Sequence, residues 1–420
     1  MKTGMKAGMK VGMKVGMKAG MRPLAALLPF ALPLLLPLLL AGCVSSASWE
    51  AVRVLKDIDA GSGPSALKEM TPSPLRREIT YSVVRPGEDK AGPVQLADLY
   101  HPDRDDPDEF DGATVLVPGF TPSGKDDHRL VALATTFARA GFLVLVPDLP
   151  GGRETRMQLD DARRIADAVV HLSGRPGLEQ LDGERVGLVA ISYAVGLAVL
   201  AASEPDARDR IAFLAGLGGY YDTTELVRFT TTGAYRPPDA HSTAMRGWRR
   251  AEPLRAAKWV FLAGNIETLG DPRDRALMTA ISEIRRRGGR EALVDAEGRD
   301  LVAQLGPEGQ NLYSLMTNKD PGRVESLLAA LPAALRRRLA ALSLRGRDLG
   351  HLVGRLILIH GRADPLVPYS ESLALSRAVP QSELFLIDGF SHIDPRAVGL
   401  AGRLQLIDAI QAILARRTPG

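Results

Sequence analysis

Apolar and polar positions follow two regimes along this chain. From residue 78 to 217, short continuous apolar runs recur between longer amphipathic stretches. Ala113-Thr114-Val115-Leu116-Val117, Phe142-Leu143-Val144-Leu145-Val146 and Val186-Gly187-Leu188-Val189-Ala190-Ile191 are of strand length and show no polar face. That is the pattern of strands buried on both sides of a parallel sheet. Asp126 and Asp127 precede the helical run His128 to Ala140, with Asp127 the expected N-cap, and Gly141 ends it. Such alternation predicts an α/β domain, a mainly parallel sheet with helices on both faces. From 222 to 352 the pattern becomes helical, as in Ala276 to Arg287 and Val324 to Leu342, with no clear succession of strands. Strand-like runs return at Leu356-Ile357-Leu358-Ile359-His360 and Leu384-Phe385-Leu386-Ile387. A core over 78–221 and 353–420 is therefore expected, interrupted by a helical insertion over 222–352.

Three of these apolar runs end in groups that can do chemistry together. Ser192 stands where the run ending at Ile191 turns into a helix, between Ala190 and Ala194. Small residues two before and two after it let strand and helix backbones pass close together. Asp364 lies on the Gly- and Pro-rich turn after the run 356–360, and His392 on the loop after the run 384–387. Serine is a poor nucleophile until a base takes its proton. A neutral His392 can take it, and Asp364 can fix the imidazole tautomer. Asp222, after the preceding strand, is the competing acid.

Ala190-Ile191-Ser192-Tyr193-Ala194 resembles the G-x-S-x-G nucleophile elbow, with alanine at both glycine positions. Together with the chain order Ser192, Asp364, His392, it makes residues 78 to 416 similar to the α/β-hydrolase superfamily. The opening pair, 78–84 and 94–102, looks like the first hairpin of dienelactone-hydrolase-like and acyl-peptidase-like esterases. The resemblance implies an α/β-hydrolase fold with the insertion 222–352 as a helical cap after the sixth strand, and an oxyanion hole built from the backbone N–H groups of Tyr193 and Phe120. Phe120 follows Pro118-Gly119, where relatives often carry His-Gly. It also implies hydrolysis of a small-molecule or acyl substrate without a cofactor, an ester in the first instance. Peptidase or amidase activity is the alternative on the same triad. A non-catalytic envelope protein that keeps the fold for binding is a reading of a different class.

The first residues read differently. Met-Lys-x-Gly units at Met1 to Met17 and then Met21-Arg22 precede an apolar stretch, Leu24 to Leu40, interrupted by Pro29, Pro33 and Pro37. It ends Leu40-Ala41-Gly42-Cys43. A basic start, an apolar stretch and small residues at the end define a secretory signal over 1–42, and translation can start at Met1 or Met21. The final cysteine resembles a bacterial lipobox, which implies lipidation of Cys43, attachment to a membrane and a cell-envelope location. Val44 in place of aspartate favours the outer membrane in a Gram-negative cell. Residues 43–77, with Gly61-Ser62-Gly63-Pro64-Ser65 and Thr71-Pro72-Ser73-Pro74, read as a tether.

Charge then changes its meaning. The chain carries a formal +4, but the leader holds six basic residues and no acid, leaving −2 for the remainder. A nucleic-acid partner is not implied. Cys43 is the only cysteine, and the seven histidines show no ligand spacing, so no metal is expected. Arg336-Arg337-Arg338 reads as a solvated helix face. Trp248, Trp259, Phe229 and Tyr235 read as cap packing.

Overall fold

In the computed structural model of the protein, the described residues are 46–104, 106, 109–237, 247–287, 291–392 and 398–417. The leader 1–42 and Cys43 lie outside them. Eight strands form the main sheet: β1 (Leu75–Tyr81), β2 (Gln95–His101), β3 (Gly112–Val117), β4 (Phe142–Pro147), β5 (Val186–Ile191), β6 (Ile211–Leu217), β9 (Leu356–Gly361) and β10 (Glu383–Ile387). Two further strands of two residues each, β7 (Ala234–Tyr235) and β8 (Arg249–Arg250), pair within the insertion. The sheet order is β1-β2-β4-β3-β5-β6-β9-β10. β1 and β2 form the antiparallel opening pair, β2 runs antiparallel to β4, and every pair from β4 to β10 is parallel.

Alternating side chains of the central strands feed two cores, as a two-residue period requires. Val115, Leu143, Leu145 and Leu188 face one core, shared with Ile165, Val169 and Leu172 of the helix Leu159–Ser173. Leu116, Val144, Val146 and Val189 face the other, with Leu130 and Phe137 of the helix His128–Arg139 and Leu406 and Ile413 of the helix Leu400–Leu414. Asp127 caps His128–Arg139 by accepting from the Arg129 N–H at 3.0 Å.

The described part of the expected tether is not a bare linker. Residues Ser46–Ala60 form a helix, here α1, and Ala66–Met70 a short second one, α2. Ala51, Val54 and Leu55 of α1 are buried in the second core, with Ile58 packed against it. Their spacing is a helical stripe, so burial of that stripe outweighs the Gly, Ser and Pro content that follows it. Polar contacts fix the same helix. Buried Asp57 accepts from Thr136 Oγ1 at 2.6 Å and from Lys68 Nζ at 2.8 Å, and Arg403 reaches Asp59 at 2.6 Å.

Between β6 and β9 the described chain is mainly helical, apart from the β7–β8 pair. It comprises Thr223–Thr232, Arg255–Ala263, Pro272–Arg287, Glu291–Ala303, Pro307–Thr317, Val324–Ala329 and Ala333–Leu342. The stretch 324–342 thus divides into two helices, with Pro332 capping the second. A third core holds these helices together around Trp259, Leu262, Met278, Leu312 and Leu335. Trp259 and Phe229 are buried, Phe229 stands edge-on to Tyr235, and Trp248 lies under the Arg236 guanidinium. These four aromatics pack rather than line a cavity. In the arginine run, Arg338 pairs with Glu267 at 3.0 Å.

Candidate active site

The carboxyl ends of the parallel strands lie along one edge of the sheet, where open α/β sheets place ligands. β5 ends at Ile191 and the helix Ala194–Ala201 begins three residues on, so the backbone reverses at Ser192. Ser192 has φ of +60°, a left-handed conformation that costs a non-glycine residue roughly 1–2 kcal/mol. The turn is held from both sides: Ser192 N–H donates to Leu217 O at 2.7 Å, and Val195 N–H to Ser192 O at 3.1 Å. Ala190 and Ala194 are fully buried. A side chain at Gly196, one turn into the helix, would collide with the Tyr220 ring.

The turn aims the serine at a histidine. Ser192 Oγ lies 2.7 Å from His392 Nε2, and His392 Nδ1 lies 2.6 Å from Asp364 Oδ2. The tautomer that satisfies both partners carries the proton on Nδ1 and accepts from the serine on Nε2. The loops after β5, β9 and β10 therefore bring together the three residues expected from the sequence. Gly218, with φ of +66°, leaves room for the imidazole: a Cβ there would lie 3.1 Å from His392 Cε1.

Asp364 is almost fully buried. Its Oδ1 accepts from the N–H groups of Leu366 at 2.7 Å and Val367 at 3.0 Å. Burial pushes the carboxyl pKa up, but hydrogen bonding to His360 and His392 outweighs it and holds Asp364 well below the usual carboxylate range. His360 is a supporting residue that the sequence reading missed. It is fully buried, with Nε2 3.0 Å from Val367 O and 3.4 Å from Asp364 Oδ2, and Nδ1 2.7 Å from Ser372 Oγ. A polar residue closing the apolar run of β9 was the available signal.

Asp222, the competing acid, is engaged elsewhere. It caps the helix Thr223–Thr232 by accepting from the Thr224 N–H at 2.8 Å, and it pairs with Arg345 at 3.0 Å. Beside it lies buried Glu371, whose Oε2 accepts from the N–H groups of Tyr221 at 3.0 Å and Asp222 at 2.8 Å. Burial pushes Glu371 up to about 8.

The two expected oxyanion donors flank the serine. Tyr193 follows it directly, and the Phe120 ring stacks on the Tyr193 ring with centroids 3.5 Å apart. The loop carrying Phe120 is pinned where Thr121 N–H donates to Gly152 O at 3.2 Å. Gly119 passes close to the elbow: a Cβ there would lie 3.4 Å from Ser192 Cβ. Buried Asp161 lies under the Gly151–Gly152 turn, and burial pushes its pKa up to about 6. The sequence reading passed over Asp161 as well.

Among the described residues no group of His, Cys, Asp or Glu side chains is arranged to hold a metal ion. Ser192, Tyr193, Phe120 and His392 open onto one large cleft that reaches beneath the helices of the insertion.

A scan against protein-family models and a search of curated proteins each return no match. Solved structures do match. A Legionella pneumophila protein provisionally named a hydrolase is similar over 88% of this chain and 96% of its own, at 12% identity and a TM-score of 0.51. An α/β hydrolase from Penicillium aligns over 81% of this chain and 99% of its own, at 15% identity and a TM-score of 0.43. The esterase domain of a Rhodothermus marinus protein aligns over 82% and 100%, at 13% identity and a TM-score of 0.37. At such identities the likeness is one of fold. Strand order, the reversal at Ser192 and the likeness to the Legionella structure agree: the chain has the α/β-hydrolase fold.

Proposed function

We propose that the protein is a serine hydrolase of carboxylic esters that works through an acyl-enzyme on Ser192. The observation that carries the reading is the hydrogen-bonded line Ser192–His392–Asp364, at 2.7 and 2.6 Å, on a backbone turn held at positive φ. His392 Nε2 takes the hydroxyl proton as Ser192 Oγ attacks the acyl carbon. Asp364 stays ionised and stabilises the imidazolium. The Tyr193 and Phe120 N–H groups receive the negative charge that develops on the carbonyl oxygen. His392 passes its proton to the leaving alkoxide, and water, activated by the same imidazole, releases the acid. No step needs a cofactor.

An ester suits this cleft better than a peptide. Its lining is mostly apolar, and a bound peptide backbone would leave N–H and C=O groups without partners there. A binding-only role gives no reason to hold a serine in a strained turn against a base. The test compares an activated butyrate ester with the matching anilide, on wild type and Ser192→Ala. Ester turnover that Ser192→Ala abolishes, with the anilide slower, supports the reading. Faster anilide cleavage points to an amidase, and equal rates in wild type and Ser192→Ala contradict a nucleophilic Ser192.

The same proposal includes the envelope. A leader ending in Leu40-Ala41-Gly42-Cys43 supports lipidation at Cys43 and anchoring to a membrane, the outer one in a Gram-negative cell. Among the described residues no helix is long and apolar enough to cross a membrane. Wild type is expected in the membrane fraction of producing bacteria and Cys43→Ser in the soluble fraction. An unchanged distribution contradicts the anchor.

A further inference from the structure

The cleft at Ser192 is much larger than ester chemistry alone requires. Its volume is about 1450 Å³, beyond the roughly 300–1,000 Å³ of a site for a drug-sized ligand. Its two ends differ in chemistry. Under the cap, Leu226, Phe261, Leu315, Met316, Leu335 and Leu339 line it, drawn from four helices. Lys258 is the one charged residue among the described cap residues on this wall, and its ammonium lies 5.9 Å from the centre of the Trp259 ring. At the far end, next to α1 and the helix His128–Arg139, charged groups gather and neutralise one another. Lys68 meets Asp57, Arg76 meets Asp126, and Arg129 meets Asp127.

A cavity end lined mainly by apolar side chains, with a few threonines, Asn265 and Lys258 as its polar groups, is costly for a polar ligand and favourable for a hydrocarbon one. Cap-wall residues Leu315 and Leu335 also belong to the third core, so this wall is part of a packed body. We infer that the cap end of the cleft binds a long acyl chain, the acyl part of the ester whose cleavage is proposed above and on which this inference rests. The carbonyl lies at Ser192 and the chain extends beneath the cap.

Each methylene moved from water into such a cleft raises the rate of reaction with Ser192 by about fourfold. The test uses p-nitrophenyl alkylphosphonates with ethyl, butyl, octyl and dodecyl chains, below their aggregation concentrations, on the full chain. Ser192 Oγ bonds to phosphorus, nitrophenolate leaves, and its release gives the second-order rate constant. A steady rise from ethyl to octyl supports the inference. Ala257→Trp and Thr230→Trp each fill the cleft from a partly exposed position on a different helix. Either variant, shown folded by its thermal transition, is expected to end the rise at a shorter chain. In parallel, dodecanoate binding to Ser192→Ala is measured by calorimetry. A flat or falling series with a reactive ethyl reagent overturns the acyl-chain site and leaves the serine hydrolase standing. Dodecanoate binding with no reaction by any reagent keeps the chain site and overturns the hydrolase. Neither reaction nor binding overturns both.

Discussion

Ser192, His392 and Asp364 were legible because each follows an apolar run, and a run of that kind ends at a known edge of a parallel sheet. His360 was not, because it closes such a run as one more strand residue and its role depends on the Val367 carbonyl and Asp364, which the chain brings back to it. Two predictions belong to this scale. Asp364→Asn is expected to lower kcat by about 10⁴-fold by stabilising the wrong imidazole tautomer, with the pH–rate profile and the thermal transition separating this from unfolding. His360→Leu leaves the Val367 carbonyl without its donor and costs about 1–3 kcal/mol of stability, read by denaturant unfolding. It also removes one of the two imidazoles whose hydrogen bonds hold Asp364 below the usual carboxylate range, so the Asp364 pKa is expected to rise in the variant. A carboxyl resonance that titrates as in wild type contradicts that role. The strain at Ser192 adds a third expectation: Ser192→Gly is more stable than Ser192→Ala by about 1 kcal/mol, because only glycine adopts positive φ freely.

At the level of elements, composition misled where periodicity did not. Residues 44–77 contain two Gly, Ser and Pro clusters that read as a tether, yet Ala51, Val54, Leu55 and Ile58 keep a helical stripe and pack on the sheet. Leu55→Ala is therefore expected to destabilise the domain by about 2–5 kcal/mol, whereas a tether residue would cost nothing measurable. Glu371 ties the helix after β9 to the loop after β6 through two backbone N–H groups. Its pKa is raised on folding from 4.5 to about 8. Between those values the folded state binds the extra proton, so stability falls as pH rises from about 4.5 to about 8. Glu371→Gln keeps an acceptor and removes the titration, so it is expected to flatten that slope in thermal melts across the range. An unaltered slope shows that Glu371 is not its source.

For the whole molecule, two cores on opposite faces hold the sheet, and a third holds the inserted helices over the edge where Ser192 lies. The insertion was visible as a change of period near residue 222. The cleft beneath it was not, because it is lined by residues from distant segments that are each ordinary apolar positions in sequence. The account stands or falls on an activated Ser192. The most direct measurement is fluorophosphonate labelling followed by intact-protein and peptide mass spectrometry on wild type, Ser192→Ala and Asp364→Asn. One adduct on the peptide containing Ser192 is expected in wild type, none in Ser192→Ala, and much slower labelling in Asp364→Asn. Folded wild type that stays unlabelled, or that carries its adduct on another residue, would contradict the account.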